Sequence, residues 1–410
     1  MAIVRTSITC LTCDQSHTLR IGMGQEDTQR HTFDCRGCGE AITVRMDVNY
    51  ETLATPVTPE KNASLSEEVS GAPIVNLDAM CLIPPGADGV DMTFFRMDEF
   101  RKTVEKAIER GSFASLPSDP ELLKYRPYRR PDHKAEWGHI RRVWSLQSRG
   151  RDELAHKQLK KETEKLYNDE NINTLPDWLW RFFQPVVGHD YQERVANALK
   201  SLQLVSPEPL MGEYAAWGMT DAARQRGQLY LEFISEFFEL HEEFSQILFY
   251  VQGGVPIDPA LKTTSSAFEK VKMFYGNAFE TLAPISELLA ILNNVQHGRT
   301  YDQFEQLSWD DYKKLDKANA FGPFASNEPL TALCDEADNR LRNASHHRRL
   351  RFDGETQILS FGSGKGGAGK QVTLGYAEYL ERCVRIAFQI FSVMLVEVAL
   401  SHSSGRTFPV

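Results

Sequence analysis

Two Cys-x-x-Cys turns, Cys10-Leu11-Thr12-Cys13 and Cys35-Arg36-Gly37-Cys38-Gly39, constrain this chain more than any other feature, because each turn aims two thiols at one point. The separation between them is that of a zinc ribbon, with Cys10, Cys13, Cys35 and Cys38 as one tetrahedral site. Four thiolates leave no coordination position open, so zinc held here is structural. A redox dithiol is the competing use of such a turn, but the paired knuckles and Gly39 match the ribbon pattern. Strand-like pieces at His17 to Ile21 and Ala41 to Val48 complete a β module over residues 1–48. A module this small buries too little apolar surface to fold alone, so the metal supplies stability and the ribbon offers a surface to a nucleic-acid or protein partner.

Residues 49–73 shift to Thr, Pro, Ser, Glu and Ala without apolar periodicity, the composition of a flexible linker. Residues 74–205 are expected to form a basic helical middle segment. Between Arg101 and Lys165 there are 17 basic and 10 acidic residues, although the whole chain carries a net charge of -10. From Tyr125 to Arg151, aromatics interleave with arginines, a pattern suited to stacking on bases and pairing with phosphates. Arg126, Arg129, Arg130, Trp137, Arg141 and Arg142 are the RNA-binding candidates there. The alternative is a solvated helix whose Trp residues belong to the core.

The C-terminal half is helical by period. Tyr230, Phe233, Phe237, Leu240, Phe244, Ile247 and Val251 recur at spacings of three and four, and Gly253-Gly254-Val255-Pro256 ends the run. Ser266-Ala267-Phe268-Glu269 has the form of a capping box opening a second striped helix, with Pro284 as its kink. Further helices are expected from about Leu330 and from near Tyr376. The fold class is mainly α, with an up-and-down helical bundle over residues 206–410. The apolar stretch Ala387 to Leu400 is interrupted by Gln389, Ser392 and Glu397, so it reads as a buried helix rather than a membrane span. Seven cysteines, four of them paired as above, fit metal binding in a reducing cytoplasm better than a disulfide scaffold.

Within this half stands Arg342-Asn343-Ala344-Ser345-His346-His347. A His titrates near neutrality and an Arg stays charged, so the set offers a proton-transfer group and a permanent cation, which RNA cleavage without a metal requires. Arg, Asn, three residues and His resembles the signature of the HEPN superfamily of helical-bundle proteins, many of which are RNases. The resemblance implies that Arg342, Asn343 and His347 are catalytic, and that two protomers join their motif helices in one cleft. It also implies cleavage to 2',3'-cyclic phosphate ends with no catalytic metal, and a place in antiviral defence or toxin biology. Non-catalytic dimeric adaptors are the family's other form. On a continuous helix, about 100° per residue sets His346 about 40° from Arg342 and His347 about 140° away, so His346 is the substitute candidate. A basic helix end, with Arg340, Arg348, Arg349 and Arg351 nearby, is the plain structural alternative.

Gly362-Ser363-Gly364-Lys365-Gly366-Gly367-Ala368-Gly369-Lys370-Gln371 looks like a phosphate-binding loop but has Gln371 where a magnesium-holding Ser or Thr is needed. It is read as a turn between strands at Gln357 to Phe361 and Gln371 to Leu374, with Lys365 and Lys370 as further RNA-backbone candidates.

Overall fold

A computed structural model describes residues 3–24, 27–49, 52–84, 86–87, 90, 101–102, 104–106, 108–109, 133–167, 172–203, 205–218, 221–264, 267–347, 349–354, 356–364, 369–404 and 408–410. The chain is mainly α, with short sheets concentrated towards its N-terminus. It divides into two compact units, each assembled from three stretches. Residues 1–131, 240–274 and 344–384 form the first unit, and 132–239, 275–343 and 385–410 form the second. These limits cut across the four consecutive segments expected from composition. The stretch 206–410 is shared between both units, and the described helices from 133 to 202 belong with the second rather than standing as a separate middle segment.

The first unit begins with β1 (Ile3–Cys10), β2 (Ser16–Gly22), β3 (Thr28–Asp34), β4 (Ala41–Asp47), β5 (Val57–Lys61), β6 (Ala63–Leu65) and β7 (Ile74–Asp78). They make one sheet in the order β6-β1-β2-β7, with β2 and β7 parallel, and another in the order β3-β4-β5. Alternation selects their inner faces: Ile42, Val44 and Met46 of β4 are buried while Thr43 and Arg45 are not. The linker expected over 49–73 is therefore largely structured. Both of its strands lie on sheet edges, where Pro59 loses no ladder hydrogen bond and polar side chains stay wet, so composition alone resembles a linker.

The helix His241–Gln252 packs in the same unit through Gln246. Its amide donates to the carbonyls of Asp78 and Cys81, at 2.6 and 2.7 Å, and its Oε1 accepts from the Thr264 amide at 2.8 Å. The stripe from Tyr230 to Val251 is two helices, Asp221–Glu239 and His241–Gln252, rather than one. The following stripe likewise divides into Phe268–Val271, Phe274–Ile285 and Glu287–Gln296. Ser266 lies outside the described residues; the Ala267 amide at the first helix's start donates instead to Glu243 Oε2, at 2.6 Å. A third sheet, β8 (Arg351–Asp353), β9 (Ile358–Gly362) and β10 (Gln371–Gly375), contains the expected hairpin with one added strand.

The second unit packs helices around aromatic rings. Phe183, Phe237 and Phe388 each lie against Phe391 or one another, and Tyr191 sets its edge on Phe388. In this core, fully buried Glu397 accepts from Arg226 and, at 2.9 Å, from the Tyr230 hydroxyl. The Arg226 guanidinium lies 3.5 Å from the Trp217 ring centroid.

Two stability predictions follow from these buried polar groups. Glu397→Gln leaves the Arg226 charge uncompensated and should lower unfolding free energy by about 3 kcal/mol, read from the urea midpoint. His31, in β3, is fully buried with neither ring nitrogen hydrogen-bonded among the described residues, and burial pushes its pKa down to about 4. Because the unfolded ring binds a proton first, stability should fall as pH drops from about 6.5 towards 4. Comparing His31→Leu with the parent chain by denaturation across that window isolates this loss; parallel curves would refute it.

Candidate functional site

The four knuckle cysteines are brought together as the sequence requires. All four sulfurs lie within 4.8 Å of one another, with Cys10 to Cys38 at 3.8 Å and Cys13 to Cys35 at 3.6 Å. Zinc–sulfur bonds of about 2.3 Å in a tetrahedron place sulfur pairs about 3.8 Å apart, so the cluster is compatible with a structural zinc site. Burial raises the Cys10 thiol, yet the backbone at Thr12 and Cys13 and the Cys35 and Cys38 thiols bring it down to about 7. At Cys13 the backbone at Gln15 pulls downward, but the Cys38, Cys35 and Cys10 thiols together with burial push the group up to about 12. One thiolate opposes the next unless a cation shares the site.

Asn62, from the supposed linker, was not legible as part of this centre. Sitting at φ 53 between β5 and β6, it donates to Cys10 Sγ at 3.7 Å and accepts from Thr12 Oγ1 at 2.8 Å. Its carbonyl takes the Leu11 amide at 3.1 Å. Gly39 adopts φ +76, which explains the glycine after the second knuckle.

The motif occupies the helix Asn339–His346, shorter than the expected run from Leu330. Asp338 starts it by accepting the Arg340 amide at 2.8 Å. Leu341, Ala344 and Ser345 face inward, whereas His346 and His347 are exposed. The helix stops at His346 and His347 lies in a turn, so continuous-helix arithmetic does not fix the His347 direction. The two imidazole centroids are 6.3 Å apart, and neither ring is hydrogen-bonded among the described residues. Ser345 Oγ donates to the Lys272 carbonyl at 2.6 Å, and Tyr379 donates to the Val271 carbonyl at 2.9 Å, which anchors this end of the helix.

Arg342 and Asn343 are described within the second unit. Arg342 donates to Asn343 Oδ1 at 2.8 Å and forms an ion pair with Glu280, which also pairs with Lys317. Burial pushes the Glu280 carboxyl up, but Lys317 and Arg342 hold it below the usual carboxylate range.

The proposed basic and aromatic surface separates into its parts. Trp137 is not available for stacking on bases: it is buried, its ring stacks on Phe238 with centroids 5.8 Å apart, and its edge meets Trp144 and Phe183. Trp144 is core as well, against Phe408. Arg141 and Arg142 are exposed on their helix, Arg141 flanking the buried face. Arg126, Arg129, Arg130 and Lys365 lie outside the described residues. Lys370 is exposed immediately before β10. The Gly-rich loop is followed by a strand, not a helix, and the amides of Ser363 and Gly369 are taken by the carbonyls of Lys370 and Ser363. It therefore lacks the helix N-terminus on which a phosphate-binding loop depends.

No family model, curated protein or solved structure matches the chain.

Asn62→Ala removes a donor to Cys10 and a strut of the first knuckle. Metal affinity should fall by about 10-fold to 100-fold, measured by competition with a chromophoric chelator; unchanged affinity would show Asn62 to be only a turn residue.

Proposed function

We propose that this protein is a metal-independent RNA endonuclease of HEPN type, acting in antiviral defence or toxin biology as a homodimer joined through the motif helix. The observation that carries the reading is the pair of exposed imidazoles, 6.3 Å apart and without partners among the described residues, at the end of the helix bearing Arg342 and Asn343. One neutral imidazole accepts the proton of an RNA 2'-hydroxyl. The freed oxygen attacks the neighbouring phosphorus, the bond from phosphorus to the 5'-oxygen breaks, and an imidazolium gives that oxygen its proton. The products are a 2',3'-cyclic phosphate and a 5'-hydroxyl. His347 is the principal proton-transfer residue, with His346 beside it; Arg342 offsets charge developing on the phosphorane and Asn343 orients the Arg. Exposed Arg349, Arg351 and Lys370 supply cations for an RNA backbone. We assign the four-cysteine cluster a structural zinc, with the ribbon surface serving a nucleic-acid or protein partner.

One observation favours a second reading, a non-catalytic dimeric adaptor: Arg342 is already engaged by the Glu280 carboxylate. The test is incubation of zinc-loaded protein with a mixed RNA pool in buffer without magnesium or other added divalent metal, with product ends identified and His347→Ala run in parallel. The nuclease reading requires cyclic phosphate ends that fall by at least about 100-fold in the variant. Absence of cleavage by both proteins, or cleavage that persists in His347→Ala, sinks it.

A further inference from the structure

A groove of about 630 Å³ opens in the second unit, and its two sides carry opposite charge. One side is the helix His133–Gln147 and the turn after it, which supply Arg141, Arg142 and Arg149. The other is the helix Asp221–Glu239, where Glu232, Glu236 and Glu239 lie on one face by their spacing of four and three. Facing charges of this kind ordinarily close into ion pairs. Here none of the three arginines pairs with any of the three carboxylates among the described residues. Half-buried Leu146 and Leu231 line the same groove.

The unpaired walls narrow the ligand. A polyphosphate satisfies the arginines and meets repulsion from the glutamates; a polyamine does the reverse. An occupant needs an anion at one end and hydrogen-bond donors at the other, joined by a body that tolerates apolar contact. Nucleotides have that form, and the volume is in the usual range of about 300 to 1,000 Å³ for small-molecule sites. Among the common bases, guanine alone presents two adjacent N–H donor groups on its pairing edge, which a carboxylate meets with its two oxygens. Glu236 is the best placed acceptor. It is half-buried, and its Oε1 takes one N–H from Asn277 at 2.8 Å, which fixes the carboxylate while Oε2 makes no hydrogen bond among the described residues. Burial pushes its carboxyl upward, the Asn277 bond opposes this, and neighbouring Glu239 adds to the rise, so a further donor on this group would be favourable.

The geometry points to a binding site for a guanine nucleotide, free or as one unit of a single strand, with phosphate on Arg141, Arg142 and Arg149 and the donor edge of the base on Glu236. This site does not depend on the imidazole pair and is distinct from the proposed cleavage chemistry.

The experiment is calorimetric titration of the full chain with GMP, AMP and two short single-stranded RNAs that differ only in one internal G or A. GMP or the G-containing strand should bind at least about ten-fold more tightly than its A counterpart. Arg141→Ala combined with Arg142→Ala should weaken the guanine ligand by at least about ten-fold, and Glu236→Gln should remove most of the preference for G over A. Thermal melting of both variants checks that they remain folded. Binding of GMP but not the strand identifies a free nucleotide, and the reverse identifies RNA; either supports the site. Equal binding of G and A ligands, no binding of any, or folded variants that bind as the parent does overturns it. His347→Ala should bind the guanine ligand unchanged, so failure of the nuclease reading and failure of this one are read separately.

Discussion

Four sulfur atoms within 4.8 Å impose the central constraint on the N-terminal sheets, because thiols this close cannot all ionise without a cation among them. The knuckles stand at strand ends, after β1 and after β3, so their convergence fixes how those strands are presented to one another. Asn62 extends the same centre to β5 and β6. Through it, a stretch whose composition is that of a linker becomes part of the support of the site, with its backbone bonded to Leu11 and its side chain to Cys10 and Thr12.

A different constraint governs the most apolar helix. Tyr376–Ser403 is long and apolar enough to cross a membrane, but 89% of its apolar window is buried within the protein. Glu397 lies in it with no exposed surface, paired with Arg226 and hydrogen-bonded by Tyr230. A carboxylate buried without such partners would cost several kcal/mol, so the pair fixes which residues the helix must face. Apolar composition sets the burial of this helix, and one charge sets its register.

Local spacing made the cysteine cluster and the β9–β10 hairpin legible, because both depend on residues close in sequence or on a fixed ligand geometry. The Arg and Trp pattern from 125 to 151 was less legible because composition merges two faces that the helical period separates. Trp137, Ile140 and Trp144 fall on the inner face, while Arg141 and Arg142 fall outside it. The stripes that read as single long helices are divided at Leu240 and again near Lys272 and Ser286, although the apolar spacing continues through the breaks. Periodicity reports burial across such a break but not the break itself. Asn62 carried no signal at all, since its partners are 50 or more residues away in sequence.

The environment of Arg342 sets what an anion would meet at the motif. One carboxylate, Glu280, faces two cations, Lys317 and Arg342, so the trio retains one positive charge even with every pair formed. Glu280 thus orders the guanidinium without cancelling it. Asn343 holds another edge of the same group, restricting the directions in which Arg342 can donate. A cation held this way loses less conformational freedom on meeting a phosphate than a free surface arginine, and the excess charge keeps the encounter favourable. The same ion pair that favours an adaptor when counted as satisfied chemistry also restrains the Arg342 guanidinium while leaving the trio with Lys317 one net positive charge.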